Sequence, residues 1–249
     1  MRTVVVGASS GLGRCIGVGL AQRGGQVALL ARRLDKLEGA AAEAGPGGLV
    51  VECDVTDEGS AKAAIAKAAA ELGGIDSLVY ATGVGPLVKL VDTDAATWRH
   101  TFDTNVTGAA LVTAAALPHL TEANGTAVYL SSVSASMTAP WPGLGAYAVS
   151  KAALDKLVEA WRAEHPHLGF TRLVVGDCGG GEGDAMTGFT SGWDPELAVE
   201  LGTQWYERKY IAGALIDVDH LVGAVAAVLE AGASLAMPSV TVYPRVPGT

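Results

Sequence analysis

A tyrosine and a lysine lie four residues apart in a helical segment, at Tyr147 and Lys151. Side chains at this spacing share one face of a helix. A free tyrosine ionises near pH ~10, but a neighbouring ammonium group favours the phenolate and lowers the pKa of the phenol. The pair can therefore act as a general acid or base. Because two ordinary surface residues also occur at this spacing, the interpretation depends on the motifs that accompany the pair.

A glycine-rich turn follows the first apolar segment of the chain. Residues 3–6 predict a short buried strand, and Gly7, Gly11 and Gly13 come directly after it. Glycines at such a turn let a pyrophosphate approach the backbone and let the next helix pack closely on the strand. The free N–H groups and the dipole of that helix then favour the phosphate charge. A flexible loop is the alternative, but the position between strand and helix favours a dinucleotide site.

Charge and hydropathy exclude several classes of partner. The chain has 17 Lys and Arg against 26 Asp and Glu, a formal charge of −9, so it lacks the basic surface that nucleic acids require. Its long uncharged stretches contain Asn, His, Pro and many Ser or Thr, unlike a membrane span. Met1 and Arg2 lead directly into the first strand and leave no room for a secretory signal. We therefore expect a cytoplasmic protein with neither a nucleic-acid nor a membrane partner.

The three cysteines, Cys15, Cys53 and Cys178, are widely spaced and have no paired histidines nearby. This spacing suggests neither a disulfide framework nor a zinc site, and we expect no metal.

Apolar strands and helical segments alternate along the whole chain, with no linker and no repeat. This alternation predicts one α/β domain over residues 1–249, a doubly wound parallel sheet of about seven strands with helices on both faces. We predict strands at 3–6, 26–31, 49–53, 77–81, 127–130, 171–175 and 240–243. The main helices are predicted after the glycine turn and at 34–44, 60–72, 97–120, 147–164 and 218–230.

Ligands of such folds collect at the carboxyl ends of the strands. The polar residues that follow these strands therefore meet along one edge of the sheet. They are the glycine turn, Arg32 and Arg33, Asp54, residues 80–83, and Ser131 with Ser132.

Together these motifs resemble the short-chain dehydrogenase/reductase family, from Thr3 to about Tyr243, and the resemblance implies a Rossmann-type sheet. Four motifs carry it in the family's order. They are Gly7-x-x-x-Gly11-x-Gly13, Asp54-Val55, Asn105 within Asp-Thr-Asn-Val-Thr-Gly, and Tyr147-x-x-x-Lys151.

The resemblance implies a catalytic tetrad. Tyr147 would exchange a proton with the substrate oxygen, and Ser132 would hydrogen-bond that oxygen. Lys151 would lower the pKa of the tyrosine and hold the nicotinamide ribose, and Asn105 would anchor a proton-relay water. The usual spacing counted back from Tyr147 reaches Ser134 instead, so both serines stay candidates. We favour Ser132 because it follows the predicted strand directly.

The implied cofactor contacts extend over several segments. An acidic residue at the end of the second strand would bind the ribose 2′-hydroxyl of NAD, but this chain has two arginines there. Since a guanidinium pairs with phosphate, we expect NADP(H), with Arg32 as the favoured contact and Ser9 as a helper. Two solvated arginines, the alternative, would leave the preference open. The implied contacts are Gly7, Ser9, Ser10, Gly11, Leu12, Gly13, Arg32, Arg33, Asp54, Val55, Ala81, Thr82, Gly83, Asn105, Tyr147 and Lys151.

The chain departs from the family pattern at three places. Val6 replaces a threonine, and residues 80–83 (Tyr-Ala-Thr-Gly) replace the turn Asn-Asn-Ala-Gly, so some strand-stabilising hydrogen bonds must be made otherwise. Residues 175–183 replace a Pro-Gly segment that touches the nicotinamide in the family.

Residues 184–216 stand where the family has its substrate lid. Their aromatic residues suit the wall of a pocket for an apolar carbonyl or alcohol, although they could simply pack the lid on the body. By resemblance, the alanine-rich helices 97–120 and 147–164 suggest a homodimer or homotetramer.

These inferences predict an NADP(H)-dependent oxidoreductase that interconverts a small or medium apolar ketone or aldehyde and its alcohol. The alternative is a dinucleotide-responsive regulatory protein on the same fold, suggested by the altered residues 176–183. An epimerase or a dehalogenase is disfavoured by Lys151 and by the intact glycine turn.

Overall fold

The computed structural model describes residues 1–181, 183–211 and 213–245. Within these ranges, the strands are β1 Arg2–Val6, β2 Gln26–Ala31, β3 Gly48–Glu52, β4 Ser77–Tyr80, β5 Thr126–Ser132, β6 Gly169–Val175 and β7 Ser239–Val242. These seven parallel strands form a single sheet in the order β3-β2-β1-β4-β5-β6-β7. The strand order reverses between β1 and β4, which opens a crevice at the carboxyl ends of these two strands.

Helices cover both faces of the sheet, because the central strands have apolar side chains on both sides. The helices are α1 Gly11–Gln22, α2 Leu34–Ala44, α3 Glu58–Leu72, α4 Ala95–Phe102, α5 Gly108–Ala123, α6 Val133–Ser136, α7 Gly145–Glu164, α8 Pro195–Glu207 and α9 Val218–Leu229. On β1, Val4 and Val6 join a core that α3, α5 and α7 cover, whereas Val5 joins the core under α1, α2 and α9. The predicted doubly wound α/β sheet is confirmed.

The predicted helix over residues 97–120 is wrong in one respect, because a π-helical turn at Asp103–Thr107 divides it into α4 and α5. The Thr104 carbonyl in this turn accepts a hydrogen bond of 2.6 Å from the buried Tyr80 hydroxyl on β4. A Cβ atom on Gly108 would lie 2.8 Å from that hydroxyl oxygen, so the glycine makes room for it. Tyr80 thus binds the sheet to the turn that contains Asn105.

The lid segment contributes α8, which the sequence analysis did not resolve. Asp194 caps this helix by accepting a hydrogen bond from the backbone of Leu197, and Pro195 occupies its first turn.

Across the described ranges, no helix is both long and apolar enough to span a bilayer.

Candidate active site

The glycine turn after β1 forms a cradle that is packed too tightly to hold side chains at Gly7 and Gly13. Gly7 and Gly11 have φ angles of +91° and +56°, in the region that favours glycine. A Cβ atom on Gly13 would lie 2.3 Å from the Gly7 carbonyl oxygen, and one on Gly7 would lie 2.7 Å from Thr82 Oγ1. Side chains at these glycines would therefore clash within the protein, and the turn presents bare backbone along the cavity, as a pyrophosphate site requires.

Arg33 extends from the end of β2 to this cradle. Its Nη2 donates hydrogen bonds of 2.9 Å to Ser9 Oγ and 2.8 Å to Ser10 Oγ. Ser10 is the N-cap of α1, but its side chain makes no capping hydrogen bond. A guanidinium, two hydroxyls and a helix N-terminus thus converge where a phosphate would be bound.

Arg32, the arginine favoured from the sequence, lies toward Asp54 instead. The pKa of the Asp54 carboxyl is lowered chiefly by the backbone N–H of Thr56, and the charge of Arg32 contributes to this shift. Asp54 Oδ1 also accepts a hydrogen bond of 2.7 Å from the Thr56 hydroxyl. Both arginines and Asp54 line the same cavity as the glycine turn, but only Arg33 bonds the two serines in the part of the chain that is described.

Asn105 in the π-helical turn joins three parts of the site. Its amide nitrogen donates to the Val84 carbonyl and to Ser150 Oγ, both at 2.9 Å, and its amide oxygen accepts from the Val84 N–H at 2.8 Å. Ser150 in turn donates to the Tyr147 carbonyl at 2.7 Å. Asn105 therefore couples the turn after β4 to the helix that bears Tyr147. Both amide hydrogens are used in these bonds, so its relay-water role stays a prediction.

Tyr147, Lys151 and Ser132 meet above the end of β5. The Ser132 hydroxyl lies close enough to the Tyr147 phenol to lower the pKa of that phenol. Lys151 lies one turn further along α7, with its Nζ 5.8 Å from the centroid of the Tyr147 ring and donating to the Leu130 carbonyl at 2.7 Å. Ser134 stands behind Ser132, with their Oγ atoms 3.0 Å apart. This geometry favours Ser132 as the serine that acts with Tyr147 and gives Ser134 a supporting place.

The titration behaviour of this pair differs from the sequence-based expectation. Burial raises the pKa of Tyr147 to about 12, and the nearby Ser132 hydroxyl opposes this shift only in part. Burial also lowers the pKa of Lys151 to about 8, while the charge of Asp155 acts in the opposite direction. The expected lowering of the tyrosine pKa is absent because burial dominates. At neutral pH the phenol is protonated, and it can donate a proton to a substrate oxygen.

Aromatic residues surround the far end of the cavity, whose volume is about 760 Å³. Phe189 meets the Tyr147 ring edge-on, with the ring centroids 5.0 Å apart. Trp193 and Trp205 donate their indole N–H groups to the carbonyls of Gly85 and Pro142, at 2.8 and 2.9 Å. Among the aromatic residues of the predicted lid, Phe189, Trp193 and Trp205 line the cavity and are candidate pocket residues.

Other aromatic and apolar residues of the predicted lid lie elsewhere. Met186 and Tyr206 are 63% and 72% exposed, and Tyr210 stacks on Trp141. Trp141 itself lines the cavity and packs on Trp205, with ring centroids 5.3 Å apart. Sequence reasoning missed Trp141 as a wall residue, although a large aromatic shortly before Tyr147 was a signal for it.

The segment that replaces the family's Pro-Gly folds back over the glycine turn. Gly180 pairs with Met186, and the Met186 carbonyl accepts a hydrogen bond of 3.2 Å from the Gly11 N–H. Glu182 lies outside the described residues. Burial raises the pKa of the Cys178 thiol, which opposes the thiolate that a nucleophilic cysteine needs.

Residues 2–181 match the family described as short chain dehydrogenase. The match covers well over half of the 249 residues, and the chain belongs to this family. Members are oxidoreductases that use a nicotinamide dinucleotide, NAD(H) or NADP(H).

Curated relatives include proteins that are named for their action on ring compounds. The chain is 40% identical over 134 residues to a cis-4-hydroxycyclohexanecarboxylate dehydrogenase of Sinomonas cyclohexanicum, which covers 52% of this chain and 54% of that protein. It is 33% identical over 179 residues to 11-beta-hydroxysteroid dehydrogenase A of Sesamum indicum, covering 70% and 51%. The matched segment thus spans about half the length of each relative.

A solved structure confirms the fold over the whole chain. The alcohol dehydrogenase of Thermococcus sibiricus, complexed with 5-hydroxy-NADP, superposes with a TM-score of 0.79. It is 23% identical, and the match covers 99% of this chain and 98% of that one. Combined with the glycine cradle described above, the family assignment indicates that the crevice between β1 and β4 fits a dinucleotide.

Proposed function

We propose that this protein is an NADP(H)-dependent oxidoreductase that interconverts an apolar ketone or aldehyde with its alcohol. The observation that carries the proposal is the protonated Tyr147 phenol, which lies with the Ser132 hydroxyl in a cavity shared by the glycine cradle and an aromatic wall. A proton donor, a dinucleotide cradle and an apolar pocket are the three parts that reduction of an apolar carbonyl needs.

A bound nicotinamide would supply or accept the hydride. In the direction of reduction, Tyr147 donates its proton to the carbonyl oxygen, where negative charge develops. Ser132 donates a second hydrogen bond to that oxygen and so stabilises the charge. The Lys151 ammonium lowers the free energy of the phenolate that remains, because an opposite charge in a buried site is weakly screened.

For the cofactor, the proposal assigns the pyrophosphate to the Gly7–Gly13 turn and the extra phosphate of NADP(H) to Arg33, with Ser9 and Ser10 as helpers. The two serine hydrogen bonds hold the guanidinium at the turn and support this assignment. Arg32 and Asp54 would lie beside the adenosine half, and residues 81–83 would lie below the nicotinamide half.

For the substrate, the proposal is a small or medium ring-bearing ketone or its alcohol without a charged group near the reacting carbon. The walls beyond Tyr147 in the described part of the cavity are formed by Trp141, Phe189, Trp193 and Trp205, which carry no charge. Aromatic walls favour flat apolar rings. Two relatives are named for ring compounds, which supports the ring; one of these compounds is a carboxylate, so the preference for a neutral substrate rests on the uncharged walls. Cytoplasmic location and assembly into a homodimer or homotetramer complete the proposal.

The test is a fluorescence titration with NADPH and NADH, followed by turnover of the bound cofactor against a panel of neutral ketones and a matched carboxylate. For example, acetophenone is paired with benzoylformate. We expect tighter binding of NADPH and oxidation of NADPH by the neutral ring ketones. Binding without turnover over a broad panel would support the regulatory alternative, and a failure to bind either nucleotide would contradict both.

A further inference from the structure

Asp155 is a buried carboxylate that the proposed chemistry does not use. It lies one helical turn after Lys151 and two turns after Tyr147, so the three residues share one face of α7. Asp155 is 4% exposed, and neither of its carboxylate oxygens has a hydrogen-bond partner among the described residues. An ionised carboxylate in such surroundings is costly unless nearby charges compensate it.

The charges near Asp155 come from two elements. On β6, Arg172 Nη1 lies 3.7 Å from Asp155 Oδ2, and the same nitrogen lies 3.5 Å from Glu159 Oε1 on α7. On α7, Lys151 interacts with Asp155 from the active-site side and Glu159 from the other side. Arg172 is thus shared between two carboxylates, which leaves part of the Asp155 charge to be compensated by Lys151.

An uncharged group of β5 also faces Asp155. Ser131 is buried, and its hydroxyl is close enough to lower the pKa of the Asp155 carboxyl without forming a hydrogen bond of normal geometry. Burial nevertheless has the largest effect and raises that pKa.

The buried Lys151 ammonium group likewise needs a nearby charge of opposite sign. It donates to the Leu130 carbonyl and lies near Gly83 and the Asn105 amide, and these groups are neutral. Tyr147 is a neutral phenol at physiological pH. Asp155 is the carboxylate whose charge opposes the effect of burial on Lys151. Without this charge, the lysine would lose its proton more readily.

We propose that Asp155 is a positioning residue that keeps Lys151 in its ammonium form beside Tyr147. The inference rests on the proposed function in one respect, namely that turnover needs the Lys151 ammonium group. The electrostatic link between Asp155 and Lys151 is independent of the reaction.

The direct test is a pH titration of Lys151 by NMR, with ¹³C-labelled lysine, in the wild type and in Asp155→Asn. Lys151→Met identifies the signal. We expect the Lys151 midpoint to fall by about one pH unit in Asp155→Asn, because a compensating charge is lost. An unchanged midpoint in a folded Asp155→Asn protein would overturn the proposal, whether or not the protein turns over a carbonyl.

The second readout is the pH profile of carbonyl reduction. If the Lys151 midpoint falls by one unit from about 8, Asp155→Asn should reduce like the wild type at pH ~6 and about fivefold more slowly at pH ~8. Glu159→Gln is the matched control, since it removes the other carboxylate beside Arg172 one turn further from Lys151. Its profile should shift much less than that of Asp155→Asn, because the charge of Asp155 beside Lys151 is retained.

A purely structural role for Asp155 would lower the rate by the same factor at every pH, and that result would contradict the proposal. Asparagine has the same shape and removes a buried charge, so the variant should fold. A melting curve checks this, and Asp155→Ala provides a second variant with the same expected shift.

Discussion

Replacement of Arg33 by alanine should weaken the binding of NADPH much more than the binding of NADH. The Arg33 guanidinium bonds Ser9 and Ser10 at 2.9 and 2.8 Å, and the proposal places it against the phosphate that only NADP(H) carries. Alanine removes the charge and both hydrogen bonds to the serines. The glycine cradle, which both nucleotides would use, stays unchanged.

The expected loss of NADPH affinity follows from the kind of hydrogen bond that Arg33 would make to the phosphate. A hydrogen bond to a charged group contributes about 1.5–3 kcal/mol, and each 1.4 kcal/mol is tenfold in affinity. Because the Arg33 side chain is exposed, solvent screens the interaction, and the lower end of this range applies. We expect Arg33→Ala to weaken NADPH about 10- to 30-fold and NADH by less than about threefold.

Fluorescence titrations of wild type, Arg33→Ala and Arg32→Ala with both nucleotides provide the assay. Arg32→Ala is the matched control, since it removes the same charge from the neighbouring position. Equal losses for NADPH and NADH in Arg33→Ala would refute the phosphate contact. If Arg32→Ala lost more of the preference for NADPH over NADH than Arg33→Ala, Arg32 would be the phosphate contact, as favoured from the sequence.

Three further predictions concern the reaction end of the cavity and its support. Ser132→Ala should lower kcat by about 10²–10³-fold, and Ser134→Ala by less than about tenfold, because Ser132 is the serine whose hydroxyl acts on the pKa of the phenol; steady-state kinetics that rank them in the opposite order would contradict this. Tyr80→Phe should cost about 1–3 kcal/mol in urea unfolding, since the Thr104 carbonyl loses its buried partner, and an unchanged free energy of unfolding would disprove that role. Phe189→Ala should raise KM for a ring ketone about tenfold without changing NADPH affinity, and an unchanged KM would remove Phe189 from the substrate wall.

The sequence was sufficient to predict the sheet and the place where its ligands collect. Short apolar runs separated by amphipathic segments have few architectures available, and glycines directly after β1 restrict the backbone strongly. In the structure Gly7, Gly13, Tyr147 and Lys151 line one cavity, and their roles in binding and catalysis stay predictions. The preference for Ser132 also came from an element boundary, the end of β5.

Features that depend on three-dimensional packing were not available from the sequence. The π-helical turn around Asn105 depends on a contact between Tyr80 and Thr104, 24 residues apart. Side-chain direction decided that Arg33 contacts the serines, and sequence adjacency alone could not separate it from its neighbour. The pKa of Tyr147 depends on how far the surrounding residues bury the phenol. The spacing of residues along the sequence does not specify this burial.

The central claim is that the Tyr147 phenol donates the proton in carbonyl reduction. The most direct test is the rate of NADPH oxidation by a ring ketone in Tyr147→Phe, with NADPH affinity measured in the same sample. Tyr210→Phe is the control, because Tyr210 belongs to the same aromatic cluster and stacks on Trp141. We predict that Tyr147→Phe lowers kcat by about 10²–10⁴-fold with NADPH affinity retained, while Tyr210→Phe keeps its rate. Full turnover in Tyr147→Phe would contradict the account.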